Sequence, residues 1–483
     1  MIKLTFYGGI GEIGGNKILL EDKNARIFLD FGMSFSLAGK FFSEFLQPRK
    51  CSGIGDFLEF GLLPDIKGLY RKDYLQGKRK EEKVKYDAII LSHAHADHSS
   101  YIHHLRREIP IYSSLVTRQI LKAIEDTSSS GFSDFLHLKE SFKLVEGKKG
   151  TLKWARGKEA LVERPFKILE ENTFIKHLKI KSFPVSHSLP GALGFIIEGS
   201  EESIVYTGDL RFHGYKGELT KKFVEEAAKI KPEIMICEGT RIGEEETSLT
   251  EKELKDKVSE IIKETQGLVV VNFPVRDIDR MSSFFEAARE NNRKLVVNTK
   301  QAYLLNLLRE VDPGVPKLGE VAVYISRKKK GTIINPSYYP DYLIKQDYNP
   351  WEQEFLHHPA AVTFKDIRDN PSSFVFRCDF FELKELIDIQ PPKESCYIRS
   401  ITEPFDEEMM IEKKRADNWL KHFGLYPYHQ IHCSGHASGG ELREMIKIIQ
   451  PKVLIPVHTE KPHLFKNFYK NVKIANLGET LNF

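Results

Sequence analysis

The sequence predicts an α/β protein, built as an αβ sandwich with a second α/β unit inserted into its chain. Three observations support this prediction. Apolar runs of strand length alternate with helical periodicity over residues 86–124, as in a sandwich whose sheets are covered by helices. A second alternation, over residues 232–298, has the order expected of a separate parallel sheet. Histidine-rich loops at 93–98 and 429–458 enclose this stretch, so the chain leaves one unit and later returns to it.

The length of the chain, 483 residues, suggests two or three domains rather than one. Its hydrophobic fraction of 41% is ordinary for a globular protein and is sufficient for a sizeable core. We therefore predict that residues 1–214 form the first part of the sandwich, residues 215–430 the inserted unit, and residues 431–483 the closing part.

Glycines are concentrated between the first two predicted strands. Gly9 to Gly14 match the pattern GxGxxG, which opens a helix in dinucleotide-binding proteins. Here a strand pattern follows at residues 15–21, so we predict a tight glycine turn close to the functional site. The third predicted strand ends at Asp30, whose carboxylate would either accept a structural hydrogen bond or orient a metal-binding histidine.

The strongest functional signal is the motif HxHxDH, directly after an apolar run at residues 86–91. A strand followed by a loop allows three imidazoles and a carboxylate to converge on divalent metal, most often zinc. The spacing is too tight for one ion to use all four side chains. His93 and His95 suit one ion, and Asp97 and His98 face a second. Paired ions of this kind commonly serve hydrolysis. The alternative is a histidine-rich solvated turn.

Further candidate ligands follow downstream. His187 lies alone in a loop between two strand patterns, and we predict that it is the third ligand of the first ion. Asp209 follows another strand, and its two carboxylate oxygens suit it to bridge both ions. After the inserted unit, two more histidine loops close the constellation. One contains His432 and His436, and the other ends a strand at His458.

Residues 33–85 carry a weaker signal. Arg71, Lys72 and residues 78–80 form a charged approach to the strand that precedes HxHxDH. A solvated loop and a phosphate-facing rim are both compatible with this pattern.

Composition restricts the partners and the compartment. The net charge is only +4, but 72 basic residues provide material for local basic patches that would favour a polyanionic partner. The five cysteines are scattered without a CxxC pair, which indicates reduced thiols in the cytoplasm. We see no signal peptide and no apolar run long enough to span a membrane, so we expect no membrane partner.

Taken together, HxHxDH, His187, Asp209, the inserted unit, HxSGHA and PVHxE resemble the β-CASP nucleases of the metallo-β-lactamase superfamily. These include RNase J and the endonucleases that process messenger-RNA 3′ ends. The resemblance covers nearly the whole chain. It implies a metallo-β-lactamase αβ/βα sandwich with an inserted β-CASP α/β domain. It also implies two zinc ions per chain, with manganese or magnesium as possible substitutes in vitro.

The resemblance implies a role for each candidate residue. Asp30 would orient a metal-binding histidine from behind, and Glu238, His436 and His458 fall at the family's motifs A, B and C. The loop of His432, Ser434 and His436 would contact a phosphate of the substrate. The implied ligand sets are His93, His95 and His187 for one zinc, Asp97, His98 and His458 for the other, and Asp209 as the bridge.

The implied activity is zinc-dependent hydrolysis of RNA phosphodiester bonds by a hydroxide that two metal ions activate. Asp97, Glu238 and His436 would form the catalytic set, with Asp97 orienting the water and His436 donating a proton or hydrogen bond to the leaving oxygen. The cleft between the two α/β units suits extended single-stranded RNA. Endonucleolytic and 5′-exonucleolytic action both remain open, as does a preference for DNA.

The chain departs from the family pattern in three places. Ser99 and Ser100 replace a small apolar residue and glycine, and Gly239 separates the motif A acid from Thr240. The chain also ends soon after motif C, so a homo-oligomer is possible but not specified. Three alternatives follow: a small-molecule lactonase or thioesterase, a catalytically inactive RNA-binding paralogue, and a flavin-partnered di-iron oxidase. The last would normally carry glutamate at the position of His95.

Overall fold

The computed structural model describes residues 1–43, 45–75, 82–128, 131–140, 142–147, 150–155, 160–246, 248–334, 339–404 and 407–483. Strands and helices alternate along most of this length. In chain order the strands are β1 (Ile2–Phe6), β2 (Ile18–Asp22), β3 (Ala25–Leu29), β4 (Ala88–Ile90), β5 (Ile111–Ser113), β6 (His137–Lys139), β7 (Leu144–Glu146), β8 (Leu152–Trp154), β9 (Leu161–Glu163), β10 (Phe166–Ile168), β11 (Thr173–Ile175), β12 (Leu178–Pro184), β13 (Leu193–Glu198), β14 (Ser203–Tyr206), β15 (Ile234–Glu238), β16 (Val269–Asn272), β17 (Lys294–Asn298), β18 (Ala322–Tyr324), β19 (Ala361–Val362), β20 (Phe374–Arg377), β21 (Cys396–Arg399), β22 (His429–Gln430), β23 (Val453–Val457) and β24 (Thr480–Asn482).

The α-helices begin at sites that the sequence encodes locally. Thr250 with Glu253 and Ser438 with Glu441 form capping boxes, in which two otherwise unbonded N–H groups are satisfied reciprocally. In chain order the α-helices are α1 (Phe35–Phe41), α2 (Gly55–Glu59), α3 (Lys72–Leu75), α4 (Ala96–Ser99), α5 (Leu115–Thr127), α6 (Gly217–Ile230), α7 (Glu251–Glu264), α8 (Ile278–Glu290), α9 (Thr299–Arg309), α10 (Asp341–Asp347), α11 (Phe364–Asp369), α12 (Leu386–Ile389), α13 (Glu407–His422) and α14 (Gly439–Ile449).

Two sheets face each other and form the sandwich. The first has the order β10-β5-β4-β3-β2-β1-β24 and the second the order β11-β12-β13-β14-β15-β23. Leu20 and Ile90 of the first sheet share one buried core with Phe195 and Ile455 of the second. Helices cover the outer faces: α5 packs over the first sheet, and α6 and α14 pack over the second. The αβ/βα sandwich predicted from the sequence is therefore confirmed.

A third sheet, built between β16 and β22, has the order β19-β18-β17-β20-β16-β21-β22 and is parallel throughout. Its central strands are almost entirely apolar because both faces are buried. From β16 the chain continues to β17, β18 and β19 on one side, and after β20 it crosses to β21 and β22 on the other. Such a reversal creates a crevice at the carboxyl ends of the strands, where α/β proteins bind ligands.

Strand pairing shifts the start of the inserted unit from the position suggested by the sequence. β15 pairs in parallel with both β14 and β23, so it completes the second sheet instead of joining the third. The helix before it, α6, packs against α14 on the sandwich. A buried apolar strand fits either sheet by its pattern alone, so the sequence does not distinguish a start at residue 215 from a start after Glu238. We propose that the inserted unit begins after Glu238.

Arg71 contributes neither a solvated loop nor a phosphate-facing rim. Its guanidinium is buried and bonds to Asp73 at 2.7 Å and to Asp134 at 3.2 Å. Residues 78–80, the other part of the expected rim, lie outside the described residues. Within the described ranges, no helix has the length and apolar character needed to cross a membrane.

Candidate functional site

The HxHxDH residues lie on the loop after β4 and in the short helix α4. The glycine turn between β1 and β2 packs directly against this loop. A Cβ atom at Gly14 would lie 2.6 Å from Asp97 Oδ2, and Gly14 has a φ of +83°. A Cβ atom at Gly32, after β3, would lie even closer to the backbone oxygen of Asp97. The predicted glycine turn beside the functional site is therefore present, and its glycines allow the close approach that positions Asp97.

Three histidines form the first ligand group. His95 Nδ1 lies 2.9 Å from His93 Nε2 and 3.0 Å from His187 Nε2. His187 donates from Nδ1 to Gly435 O at 2.6 Å, so the lone pair of its Nε2 faces the other two rings. Burial lowers the pKa of His95 to about 4 and the pKa values of His93 and His187 well below their usual range. These imidazoles are therefore neutral, which is the form that binds metal.

His98 and His458 form the second group with Asp97. His98 donates from Nδ1 to Asp30 Oδ2 at 2.7 Å, and His458 bonds through Nδ1 to Thr240 Oγ1 at 2.8 Å. The remaining ring nitrogens face carboxylates: His98 Nε2 lies 3.1 Å from Asp209, and His458 Nε2 lies 3.1 Å from Asp97. A ring-nitrogen lone pair and the carboxylate oxygen that it faces repel each other unless a cation lies between them.

Two buried atoms show that a cation fits this site. Asp209 Oδ1 and His98 Nε2 are inaccessible to solvent and have no hydrogen-bond partner among the described residues. Burial by itself would lower the pKa of His98, but the carboxylates of Asp209, Asp30 and Asp97 outweigh burial and raise it well above its usual value. The surrounding charges therefore favour a positive charge at this position, and nitrogen and carboxylate donors suit zinc.

Asp209 lies between the two groups. Its Oδ2 is 3.7 Å from His93 Nε2, 3.1 Å from His98 Nε2 and 3.5 Å from His458 Nε2. All seven predicted ligands thus converge at one place, and Asp209 has the position of a bridge. Their ligand roles remain a proposal.

Asp30 lies behind His98, as the sequence suggested. Its carboxylate accepts hydrogen bonds from Ser92 N and Ser92 Oγ, each at 2.7 Å, and from Tyr206 at 2.6 Å, in addition to His98. These partners fix the carboxylate, which in turn fixes the tautomer and direction of the His98 ring. The sequence analysis missed Tyr206, because a tyrosine ending a buried strand has an ordinary core role in most proteins.

Glu238 does not have the position expected of a residue that touches the reacting atoms. It is 1% exposed, and its oxygens bond to Leu210 N at 2.9 Å, Thr240 Oγ1 at 2.9 Å and His436 Nδ1 at 2.9 Å. Thr240 in turn reaches His458. We therefore interpret Glu238 as a positioning residue for two histidines.

His436 lies at the edge of the ligand groups. Its Nδ1 is 4.0 Å from Asp209 Oδ2, and its ring is next to those of His187 and His458. Burial opposes its positive charge, but nearby carboxylates, above all that of Glu238, outweigh burial and raise its pKa to about 9. A grouping of Asp209, Glu238, His436 and His458 could also hold a cation, so a ligand role is the alternative to a proton-donor role.

We call residues 432–436 the phosphate loop. Three consecutive carbonyl groups of this loop accept hydrogen bonds from buried side chains. Cys433 O accepts from Arg280 Nη2 at 2.8 Å, Ser434 O accepts from Arg211 Nη1 at 3.0 Å, and Gly435 O accepts from His187. In a trans peptide the N–H points opposite to the C=O. The N–H of Gly435 therefore points away from Arg211, and no described group accepts a hydrogen bond from it.

A buried ion cluster, which we call the arginine clamp, holds the phosphate loop. It consists of Arg211, Glu251 and Arg280, whose side chains are all inaccessible to solvent. Glu251 Oε1 lies 3.1 Å from both guanidinium groups, and Asp279 gives Arg211 a further partner at 2.7 Å. The sequence analysis missed the clamp because its members are far apart in the chain and form no motif.

His432 and Ser434 occupy the phosphate loop, but their side chains have protein contacts. His432 Nδ1 lies 3.4 Å from Arg280, and burial lowers the pKa of His432 to about 3, so the ring is neutral. Ser434 Oγ accepts from His436 N at 3.2 Å. Phosphate binding by these side chains remains a prediction. His213 is buried, and its Nε2 bonds to Ser434 O at 2.9 Å.

The chain matches two family profiles. One describes a β-lactamase superfamily domain and matches residues 63–248. The other describes a zinc-dependent metallo-hydrolase RNA specificity domain and matches residues 428–467. The two matches lie on either side of strands β16 to β21, and together they contain all seven predicted metal ligands.

Known proteins similar to the chain include ribonuclease J from several organisms. The Mycoplasma pneumoniae protein is 24% identical over 95% of this chain and 68% of its own length. The Helicobacter pylori protein is 24% identical over 98% of this chain and 58% of its own length, and the Pyrococcus abyssi protein is 22% identical over 95% and 90%. The chain therefore spans between about three fifths and nine tenths of these relatives. A crystal structure of an Enterococcus faecalis protein of unknown function has a TM-score of 0.73 at 24% identity and covers 99% of both chains, which supports the fold.

Proposed function

Because this chain belongs to the RNase J-like β-CASP family of metallo-β-lactamase-fold nucleases, we propose that it is a metal-dependent ribonuclease that hydrolyses phosphodiester bonds of single-stranded RNA. The observation that carries the proposal is the convergence of two histidine–carboxylate groups on Asp209, next to a loop with an unbonded N–H. Metal ligands and a group that can bind an anion are thus adjacent, as phosphodiester hydrolysis requires.

The metals in this proposal are two zinc ions. His93, His95 and His187 would hold one and Asp97, His98 and His458 the other, with Asp209 between them. When bound, the ions would supply Lewis-acid activation of water and neutralise charge on the phosphate. Manganese or magnesium would be substitutes in vitro.

The chain's own residues would orient the reactants and supply a proton. Asp97, fixed by the glycine turn, has the position to orient the attacking water. The N–H of Gly435 would donate to a phosphate oxygen. His436, held by Glu238, would donate a proton to the leaving oxygen, a role that commonly accelerates a reaction by about 10²–10⁴-fold.

Single-stranded RNA and a cytoplasmic location complete the proposal. The RNA specificity profile that matches residues 428–467 supports RNA as the substrate. All five cysteines have free thiols, which agrees with a reducing compartment.

The proposal can be tested with labelled RNA. Zinc- or manganese-loaded protein would be incubated with single-stranded RNAs that carry either a 5′-monophosphate or a blocked 5′ end, and the products would be sized on a gel. Mononucleotides from the monophosphorylated RNA alone would indicate 5′-exonucleolytic action, and internal fragments from both RNAs would indicate endonucleolytic action.

Two controls address the rival functions. Activity on lactones or thioesters without activity on either RNA would favour the small-molecule hydrolase. RNA binding without cleavage under any metal would favour the inactive paralogue. Elemental analysis before and after titration should give about two zinc ions per chain, and a failure to take up metal would contradict the ligand assignment.

A further inference from the structure

Arg276 lies in the crevice of the third sheet. It follows β16, which lies between β20 and β21 where the direction of the connections reverses, and it precedes α8. The neighbouring strands β21 and β22 end at the same edge, and the chain continues from β22 directly into the phosphate loop. Arg276 thus belongs to the edge of the inserted unit from which the phosphate loop departs.

The loop that carries Arg276 is fixed on both sides. Before it, Phe273 O accepts a hydrogen bond from Arg377 Nη2 at 3.1 Å. After it, Asp277 caps α8 by accepting from Arg280 N at 3.0 Å, and its own N–H bonds to Pro274 O at 3.2 Å. Arg280 belongs to the arginine clamp. The backbone of Arg276 is therefore tied to the residues that hold the phosphate loop.

The side chain of Arg276 differs from those of its arginine neighbours. Arg280 and Arg377 are buried in ion pairs, whereas Arg276 is exposed and, among the described residues, has no hydrogen bond or ion pair. Desolvation by the surrounding protein nevertheless lowers its pKa from the usual value. An accessible but partly desolvated cation without a partner is typical of a cleft that receives an anion.

We propose that Arg276 binds a non-scissile phosphate of the RNA strand, next to the phosphate that is hydrolysed. The inserted unit thus contributes a specificity determinant for polymeric substrates. A guanidinium can bind phosphate through two parallel N–H donors, and a planar fork fits this geometry better than an ammonium group. The inference rests on the proposed function, because it assumes a substrate with more than one phosphate.

The test compares Arg276→Ala with wild type on two substrates. For a labelled single-stranded RNA, KM should rise about tenfold, the usual effect of losing one charge-assisted hydrogen bond. The slope of log affinity against log salt concentration should fall by about 0.7, the contribution of one phosphate contact on a single strand. The kcat for a small activated phosphodiester, which has a single phosphate, should stay unchanged.

Two further variants control for charge and chemistry. Lys294→Ala removes a positive charge at the opposite edge of the same sheet, from an exposed side chain without an ion pair among the described residues, and should leave KM and the salt slope unchanged. Arg276→Lys should keep most of the salt slope but bind less tightly than wild type, because an ammonium group lacks the planar fork.

Direct binding distinguishes failure of this inference from failure of the proposed function. Fluorescence anisotropy of the same RNA with chelator-treated protein measures affinity without cleavage. Unchanged affinity and salt slope in Arg276→Ala would overturn the inference while leaving ribonuclease activity intact. Wild-type protein that neither binds nor cleaves RNA would overturn both. Equal losses on RNA and the small phosphodiester would instead place Arg276 at the scissile phosphate and would also overturn the inference.

Discussion

The metal-ligand groups and the phosphate loop lie side by side but are built differently. Four of the seven predicted ligands come from one short motif after β4. Two of the ligand rings are oriented by fixed acceptors: Asp30 accepts from His98, and Gly435 O accepts from His187. The phosphate loop has no comparable local support. Its carbonyl groups are held by Arg211 and Arg280, which meet on Glu251 and come from separate parts of the chain.

This difference predicts different consequences of mutation. A ligand binds the reacting centre directly, so its loss should remove a chemical function. A clamp residue acts through backbone geometry, so its loss should displace the loop by a small distance and reduce a function without removing it. The predictions below test this contrast, beginning with the largest expected effect.

Asp97→Ala should abolish hydrolysis while preserving the fold. Asp97 lies 3.1 Å from His458 Nε2, and its removal leaves the second ligand group with two histidines and Asp209. We expect kcat/KM to fall by about a thousandfold or more, since metal activation supplies several kcal/mol. Circular dichroism and the thermal midpoint should change little. The matched control is Asp341→Ala, which removes an exposed carboxylate. If folded Asp97→Ala retains turnover, the assignment of Asp97 as a metal ligand is wrong.

His436→Ala should reduce RNA turnover by roughly a hundredfold, the usual contribution of a positioned proton donor. Both metals should remain, RNA should bind nearly as tightly, and a small phosphodiester with a good leaving group should be hydrolysed almost normally. The control is His429→Ala, an exposed histidine of β22 in the same segment. Loss of metal from the variant would show that His436 is a ligand. It could act as one together with Asp209, Glu238 and His458.

Glu251→Gln should produce a smaller defect that tests the clamp. The variant keeps a hydrogen-bond acceptor but leaves two buried guanidinium groups without their shared negative charge, so the protein should be destabilised. We expect kcat to fall about tenfold with metal content unchanged, as for residues that orient others. Activity should be measured well below the thermal midpoint, with the exposed Glu260→Gln on the same helix as control.

A change in stability without a change in turnover would contradict the idea that the arginine clamp positions the phosphate loop for catalysis. If Glu251→Gln lowers the thermal midpoint but leaves kcat and KM for RNA at wild-type values, the clamp is structural only. If Glu251→Asp restores stability without restoring kcat, the position of the loop, rather than its attachment, determines turnover.

Asp277→Asn should have the smallest effect and should appear as a change in pH dependence. Burial is the largest influence on Asp277 and, despite Arg280 nearby, its pKa is raised to about 7. The folded protein therefore binds more protons than the unfolded chain between about pH 4 and 7, so stability falls as pH rises through this window. Asparagine can still cap α8 but does not titrate. The free energy of unfolding, measured by urea titration from pH 5 to 8, should fall less steeply in the variant than in the wild type. The difference should be on the order of 1 kcal/mol or more.

The sequence predicted those parts of the fold and site whose signals are local. Apolar runs, turn glycines and HxHxDH each lie within a few residues, so their periodicity and spacing are visible without a structure. The extent of the inserted unit was less visible, because the strand that ends at Glu238 has the same apolar pattern in either sheet. Only pairing with β14 and β23 assigns it.

The parts of the site that the sequence missed depend on contacts between distant residues. Thr240 is an example: Gly239 displaces it by one position from the family pattern, yet its hydroxyl still joins Glu238 to His458. A Cβ atom at Gly239 would lie 2.7 Å from the ring of Phe465, so glycine allows this close approach. The catalytic role that the resemblance implies for Glu238 has a related basis, because its three hydrogen-bond partners become visible only in three dimensions.

The order of the ligands along the chain has a consequence for biosynthesis. His458 follows β23, which inserts beside β15 in the second sheet, and it is separated from His93 by the whole inserted unit. A chain still emerging from the ribosome has the first histidine motif but lacks His458 and the phosphate loop. Since domains generally fold as they emerge, the earlier strands can assemble first. A nascent chain of this design therefore has no complete set of predicted ligands until the inserted unit has been translated and His458 has emerged.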